Sequence, residues 1–173
     1  MMNWFDRILL DSHALRLFKL YLDSVFGGSL SSVAADVVLI LGIHAVTMFF
    51  LALLFVKVVN STSFGKTFAG RFMIYLSVIL AVLSSHFVDI VFLSVSLDSL
   101  NVFPDSMSTF YYVVGLYTTV GSNYNPALEW QGLAVIIPFC GLFAFSLSGS
   151  ALFTMLGYFL SAPKSSDKQK TSV

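Results

Sequence analysis

Between Phe72 and Pro163 the chain carries not one Lys or Arg. A water-soluble fold needs charge on its surface, so a stretch this long without a cation belongs where charge is expensive. The apolar runs say where that is. About 20 apolar residues cross the roughly 30 Å hydrocarbon layer of a bilayer. Three segments reach that length: residues 33–56, broken only by Asp36 near the start and His44 at the centre; residues 72–97, with His86 and Asp89 inside; and residues 131–160, with no charge at all. Composition agrees. Of 173 residues 57% are hydrophobic and 10% charged, against about 25% charged in a soluble domain. The expected fold class is an all-α membrane protein. A disordered chain, a nucleic-acid binder and an ordinary soluble enzyme are excluded, and no small-molecule substrate is expected.

Basic residues near span ends orient such a chain. The connection between the first two spans holds Lys57, Lys66 and Arg71 and no acid, and the tail holds Lys164, Lys168 and Lys170. Both are expected in the cytoplasm. The stretch from Asp98 to Glu129 has acids and no bases, so it is expected outside, and three spans then put the N-terminus outside as well. The setting expected is a plasma membrane or a bacterial inner membrane. The single Cys140 cannot form an intramolecular disulfide and does not report the redox compartment.

The first 26 residues do not read as a secretory signal peptide, because Asp11, Arg16, Lys19 and Asp23 interrupt any apolar core. Trp4, Ile8, Leu15, Phe18, Leu22 and Val25 instead recur at helical spacing, with Ser12, Arg16, Lys19 and Asp23 opposite. The pattern predicts an amphipathic helix ended by Gly27-Gly28, lying on the bilayer or on a neighbouring subunit. The organisation is therefore residues 1–31 as an interfacial helix, 32–161 as the membrane domain, and 162–173 as a polar, disordered tail.

Residues 104–126 are neither a span nor a simple loop. Pro104 followed by Asp105 and Ser106 signals a helix start. About a dozen apolar and aromatic residues follow, too few to cross. The run stops at Thr118-Thr119-Val120-Gly121 and turns at Asn123 and Asn125-Pro126. A short apolar helix that enters and leaves on one side is re-entrant, and irregular backbone at membrane depth survives where protein buries it or where it lines a water-filled path. The segment predicts a pore loop.

Tyr117-Thr118-Thr119-Val120-Gly121 resembles the filter signature Thr-Val-Gly-Tyr-Gly of potassium-channel-like pore domains. Tyr111-Tyr112 resembles the aromatic pair of the pore helix, and residues 141–153 are similar to the inner helix of small bacterial one-pore ion channel proteins. Ile43-His44-Ala45, and His86 three residues before Asp89, resemble features of that group's first two spans. The resemblance covers residues 43–155. It implies a homotetramer whose filter residues Thr118, Thr119, Val120, Gly121, Ser122 and Asn123 surround a path for potassium or sodium ions, with the carbonyls of Thr118 to Gly121 facing the ion. It implies no cofactor and no catalysis. Ser122 and Asn123 depart from the Tyr-Gly of the signature, which points to weakened potassium selectivity. The third span carries a kink at Pro138 and small residues at Gly141 and Gly149, together expected to act as an inner-helix hinge. Ordinary close packing explains the same residues.

His44 and His86 both fall near mid-span, and Asp89 shares a helical face with His86. An unpaired carboxylate at that depth is costly, so a hydrogen-bonded cluster of His44, His86 and Asp89 is expected. It can serve as a polar clasp between spans, as a proton-sensitive gate, or as a metal site. Two rivals to the channel follow: an intramembrane metalloenzyme built on these three residues, and a non-conducting accessory subunit that keeps the scaffold without a working filter.

Overall fold

The computed structural model describes residues 12–26 and 30–161. Among them every regular element is helical. Helix α1 is Ser12–Phe26, α2 Leu30–Ser61, α3 Phe68–Ser99, α4 Ser106–Tyr117 and α5 Leu133–Ser161. Short 3₁₀ turns at Phe64–Lys66 and Leu128–Trp130 separate α2 from α3 and precede α5. The expected contributions of Trp4 and Ile8 to α1, the Gly27-Gly28 stop and the polar tail lie outside the described residues.

Three of these helices, α2, α3 and α5, are long and apolar enough to cross a membrane. Helices α2 and α3 run to 32 residues each, longer than their apolar cores, because polar turns extend them at both ends. In α2 the buried positions are Leu30, Val33, Val37, Ile40, His44, Met48, Phe55 and Val59. That spacing is one stripe of a 3.6-residue helix, and His44 occupies a core position within it. The other faces expose Val38, Phe49, Phe50, Leu53 and Leu54, as a lipid-facing surface requires.

The chain forms two compact units. One comprises the described residues up to Leu41 together with Ile90–Leu142; the other comprises Gly42–Asp89 and the chain from Phe143. The first holds α1, α4 and the loop after it. There Ser96 donates its hydroxyl hydrogen bond to the Asp36 carboxylate, which gives the acid near the start of α2 a partner. The second is a three-helix core of Met48, Phe55, Val59, Val78, Val82, Met155 and Phe159. Its margin is tied by Tyr158 Oη donating to Asn60 Oδ1 at 2.8 Å and by the buried Arg71, whose Nη1 donates to the Phe159 carbonyl at 3.4 Å while its guanidinium lies over the Phe159 ring.

Candidate functional sites

Asp105 caps α4: its backbone is extended, and its carboxylate accepts from the Ser108 amide at 2.8 Å. Hydrogen bonds from the Ser108 side chain and then the Ser108 amide hold the Asp105 carboxyl below its ordinary range. The helix has 12 residues, about 18 Å at 1.5 Å per residue, which is too short to cross. One face of α4 is deeply buried, with Thr109, Val113 and Tyr117 at 0% exposure. Gly141 of α5 lets the end of α4 approach: a Cβ there would collide with the Tyr117 carbonyl oxygen.

The chain then folds back over the C-terminal end of α4. The Thr118 and Thr119 amides donate to the Val114 and Leu116 carbonyls, and the Gly121 amide donates to the Gly115 carbonyl, each at 3.0 Å. Thr119 sits at φ 60° and Gly121 at φ 93°. Positive φ suits glycine and is uncommon for threonine. Val120 between them is 85% exposed. The Gly121 carbonyl oxygen lies against Gly115 as well, so close that a side chain at Gly115 would strike it. Ser122 Oγ accepts from the Tyr124 amide at 3.1 Å, and Phe103 packs against both Tyr112 and Tyr124. Phe103 thus bridges the ring of α4 and the ring just after Ser122. Asn123 is exposed. Of the other residues singled out above, Pro138 lies within α5 without ending it. Gly149 is exposed, and a methyl added there would meet nothing within 4 Å.

A second cluster lies in the unit formed by residues 42–89 and the chain from Phe143. His44 Nδ1 and Asp89 Oδ2 are 2.7 Å apart, and His44 Nε2 and Ser148 Oγ are 2.8 Å apart. The ring of His86 lies 4.8 Å from that of His44 and stacks at 4.4 Å on Phe145. All four polar residues are buried. One imidazole therefore links α2, α3 and α5. His44, His86 and Asp89, which the sequence pattern groups, lie together here; Ser148 is not among the residues that pattern singles out.

The connectivity Ser148–His44–Asp89 is that of a nucleophile, its base and an orienting carboxylate. Nucleophilic catalysis further needs donors aimed at a developing oxyanion. Ser148 lies inside α5, whose amides serve the helix ladder, is 3% exposed, and has Met48 Sδ 3.5 Å from its hydroxyl. The geometry suits a buried hydrogen-bond chain better than an acyl-transfer site.

Comparison with protein-family models, with curated proteins and with solved structures gives no match to this chain.

Proposed function

We propose that this chain is one subunit of a pore-loop channel, a homotetramer that passes monovalent cations, potassium or sodium, passively across the membrane. The observation that carries this reading is α4 and its outlet: a capped helix too short to span, ending in an exposed turn with two positive-φ residues, on a chain with three helices able to cross a bilayer. Irregular backbone of this kind is expensive in lipid and is kept where it borders water. A single loop encloses nothing, so closure requires rotational copies. In this reading the carbonyls of Thr118, Thr119 and Val120 take the cation, Gly121 supplies the turn, and the negative end of the α4 dipole favours positive charge. Asp98, Asp105 and Glu129 gather cations at the mouth.

The test is flux from liposomes holding the purified chain, potassium against sodium. Gly121→Ala places a Cβ at φ 93°, where L side chains are strained. Cation flux is expected to vanish in that variant while chemical crosslinking still yields a tetramer. Undiminished flux in Gly121→Ala, or no flux in the wild type, refutes the channel.

A further inference from the structure

The buried histidine cluster has more ligand chemistry than a clasp between helices requires. His44, His86 and Asp89 each offer one ligand nitrogen or oxygen, and those three atoms lie within 4.8 Å of one another. His44 comes from α2, while His86 and Asp89 come from α3 one turn apart. Bundle cores build metal sites in this way, with a carboxylate and a histidine at i, i+3 spacing and further ligands from a facing helix. We infer that His44, His86 and Asp89 form an intramembrane site for one borderline-soft divalent transition ion of the zinc class.

The donor set selects that class. Two imidazoles and one carboxylate suit Zn²⁺ and its neighbours. Calcium and magnesium ions prefer oxygen ligands alone. Metal–nitrogen lengths of about 2.0–2.1 Å put tetrahedral ligand atoms roughly 3.3 Å apart. The His44 Nδ1–Asp89 Oδ2 pair, at 2.7 Å, must open slightly, and a pair at the 4.8 Å limit must close by about 1.5 Å. The Asp89 carboxylate supplies the negative charge that a cation needs where an uncompensated charge is costly.

Ser148 carries the strongest part of the case. A histidine that binds a metal through one nitrogen almost always donates its other N–H to an oxygen, which fixes the tautomer. Ser148 Oγ stands 2.8 Å from His44 Nε2, in that position. Without metal, neutral His44 donates from Nδ1 to Asp89 and accepts from Ser148. With metal on Nδ1, the ring proton resides on Nε2 and is donated to Ser148. The hydroxyl then needs another acceptor, and Met48 Sδ is already 3.5 Å away. Binding pins α2 to α3 directly and α5 through Ser148.

The test reads metal content rather than flux, so its outcome is independent of the channel reading. The full chain in detergent is dialysed against buffered Zn²⁺, and bound metal is counted by elemental analysis. One Zn²⁺ per chain is expected, with binding at least ten-fold weaker in His86→Gln and in Asp89→Asn. Ser148→Ala should weaken it by about ten-fold. His13→Gln, which removes the remaining histidine of the three, should change nothing. Co²⁺ loaded into the wild type should show visible bands of a nitrogen- and oxygen-ligated tetrahedral ion, a reading that needs no variant to fold. Less than one Zn²⁺ per wild-type chain overturns the site. So does full uptake in both His86→Gln and Asp89→Asn, or loss of uptake in His13→Gln.

Discussion

Gly141→Ala separates two meanings of the same glycine. If Gly141 is a hinge, its value lies in flexibility, and alanine stiffens α5. If it is a point of close approach, alanine forces α4 and α5 apart. The added Cβ would fall on the Tyr117 carbonyl oxygen, 2.8 Å from its carbon and 3.2 Å from its Cα. All three atoms are backbone, and Tyr117 has 0% exposure, so no side chain can swing away. Overpacking of this kind costs about 1–3 kcal/mol, and contact with backbone argues for the upper end. Replacing glycine by alanine inside a helix returns about 1 kcal/mol. The net loss is therefore about 2 kcal/mol. For a chain of this size that lowers the unfolding temperature by roughly 4–8 °C. Gly149→Ala is the control. Its methyl meets nothing within 4 Å, so stability should hold or rise by up to about 1 kcal/mol. Thermal unfolding of both variants in one detergent measures the difference. A Gly141→Ala protein as stable as the wild type refutes the close-approach account.

Three further expectations concern α4, the loop after it and the first unit. Replacing Ser122 and Asn123 together by Tyr and Gly should raise the preference for potassium over sodium in liposome flux; a wild type already strongly potassium-selective contradicts the assignment of weak selectivity to these positions. Asp105 has a lowered pKa in the folded chain, so its cap is fully present above the unfolded value of about 3.9 and is lost as pH falls through the lower folded value. Protection of the Ser108 amide, corrected for intrinsic exchange, should drop below about pH 4 in the wild type and show no such drop in Asp105→Asn. Ser96→Ala removes the partner of the part-buried Asp36 carboxylate and should cost about 1–3 kcal/mol; an unchanged unfolding temperature would show that water serves Asp36 equally well.

The spans were legible because hydrocarbon demands long apolar runs, and His44, His86 and Asp89 because a polar residue in such a run requires a partner. Asp105 was legible through Pro104-Asp105-Ser106, whose cap chemistry is local. Span ends were less so. Residues 57–61 continue α2 with Lys57, Asn60 and Ser61, and apolar length gives no signal for helix in the interfacial layer. Ser148 was hidden for a different reason. Hydroxyls in apolar helices commonly bond the carbonyl four residues back, as Thr47, Ser77, Ser84 and Ser94 do here. Nothing in a linear pattern tells which serine reaches across to another helix. The turn of the Gly121 carbonyl onto Gly115 was equally out of reach, since it depends on how the loop folds back over α4.

The hydrogen bonds of His44 also bear on the order of assembly. Asp89 lies 45 residues from His44 along the chain, whereas Ser148 lies 104 away. The connection from α2 to α3 is short and tightly folded: the Gly65 amide donates to Thr62 Oγ1, and Gly65 packs against the Val59 backbone. A nascent chain growing at about 5–20 residues per second completes the α2–α3 hairpin seconds before Ser148 is made. The imidazole and carboxylate can therefore enter the bilayer already satisfied by each other, as one insertion unit. The serine of α5 arrives afterwards and docks on a preformed acceptor. A substitution at Asp89 would then act on membrane insertion of the hairpin, and one at Ser148 on the later packing of the third helix.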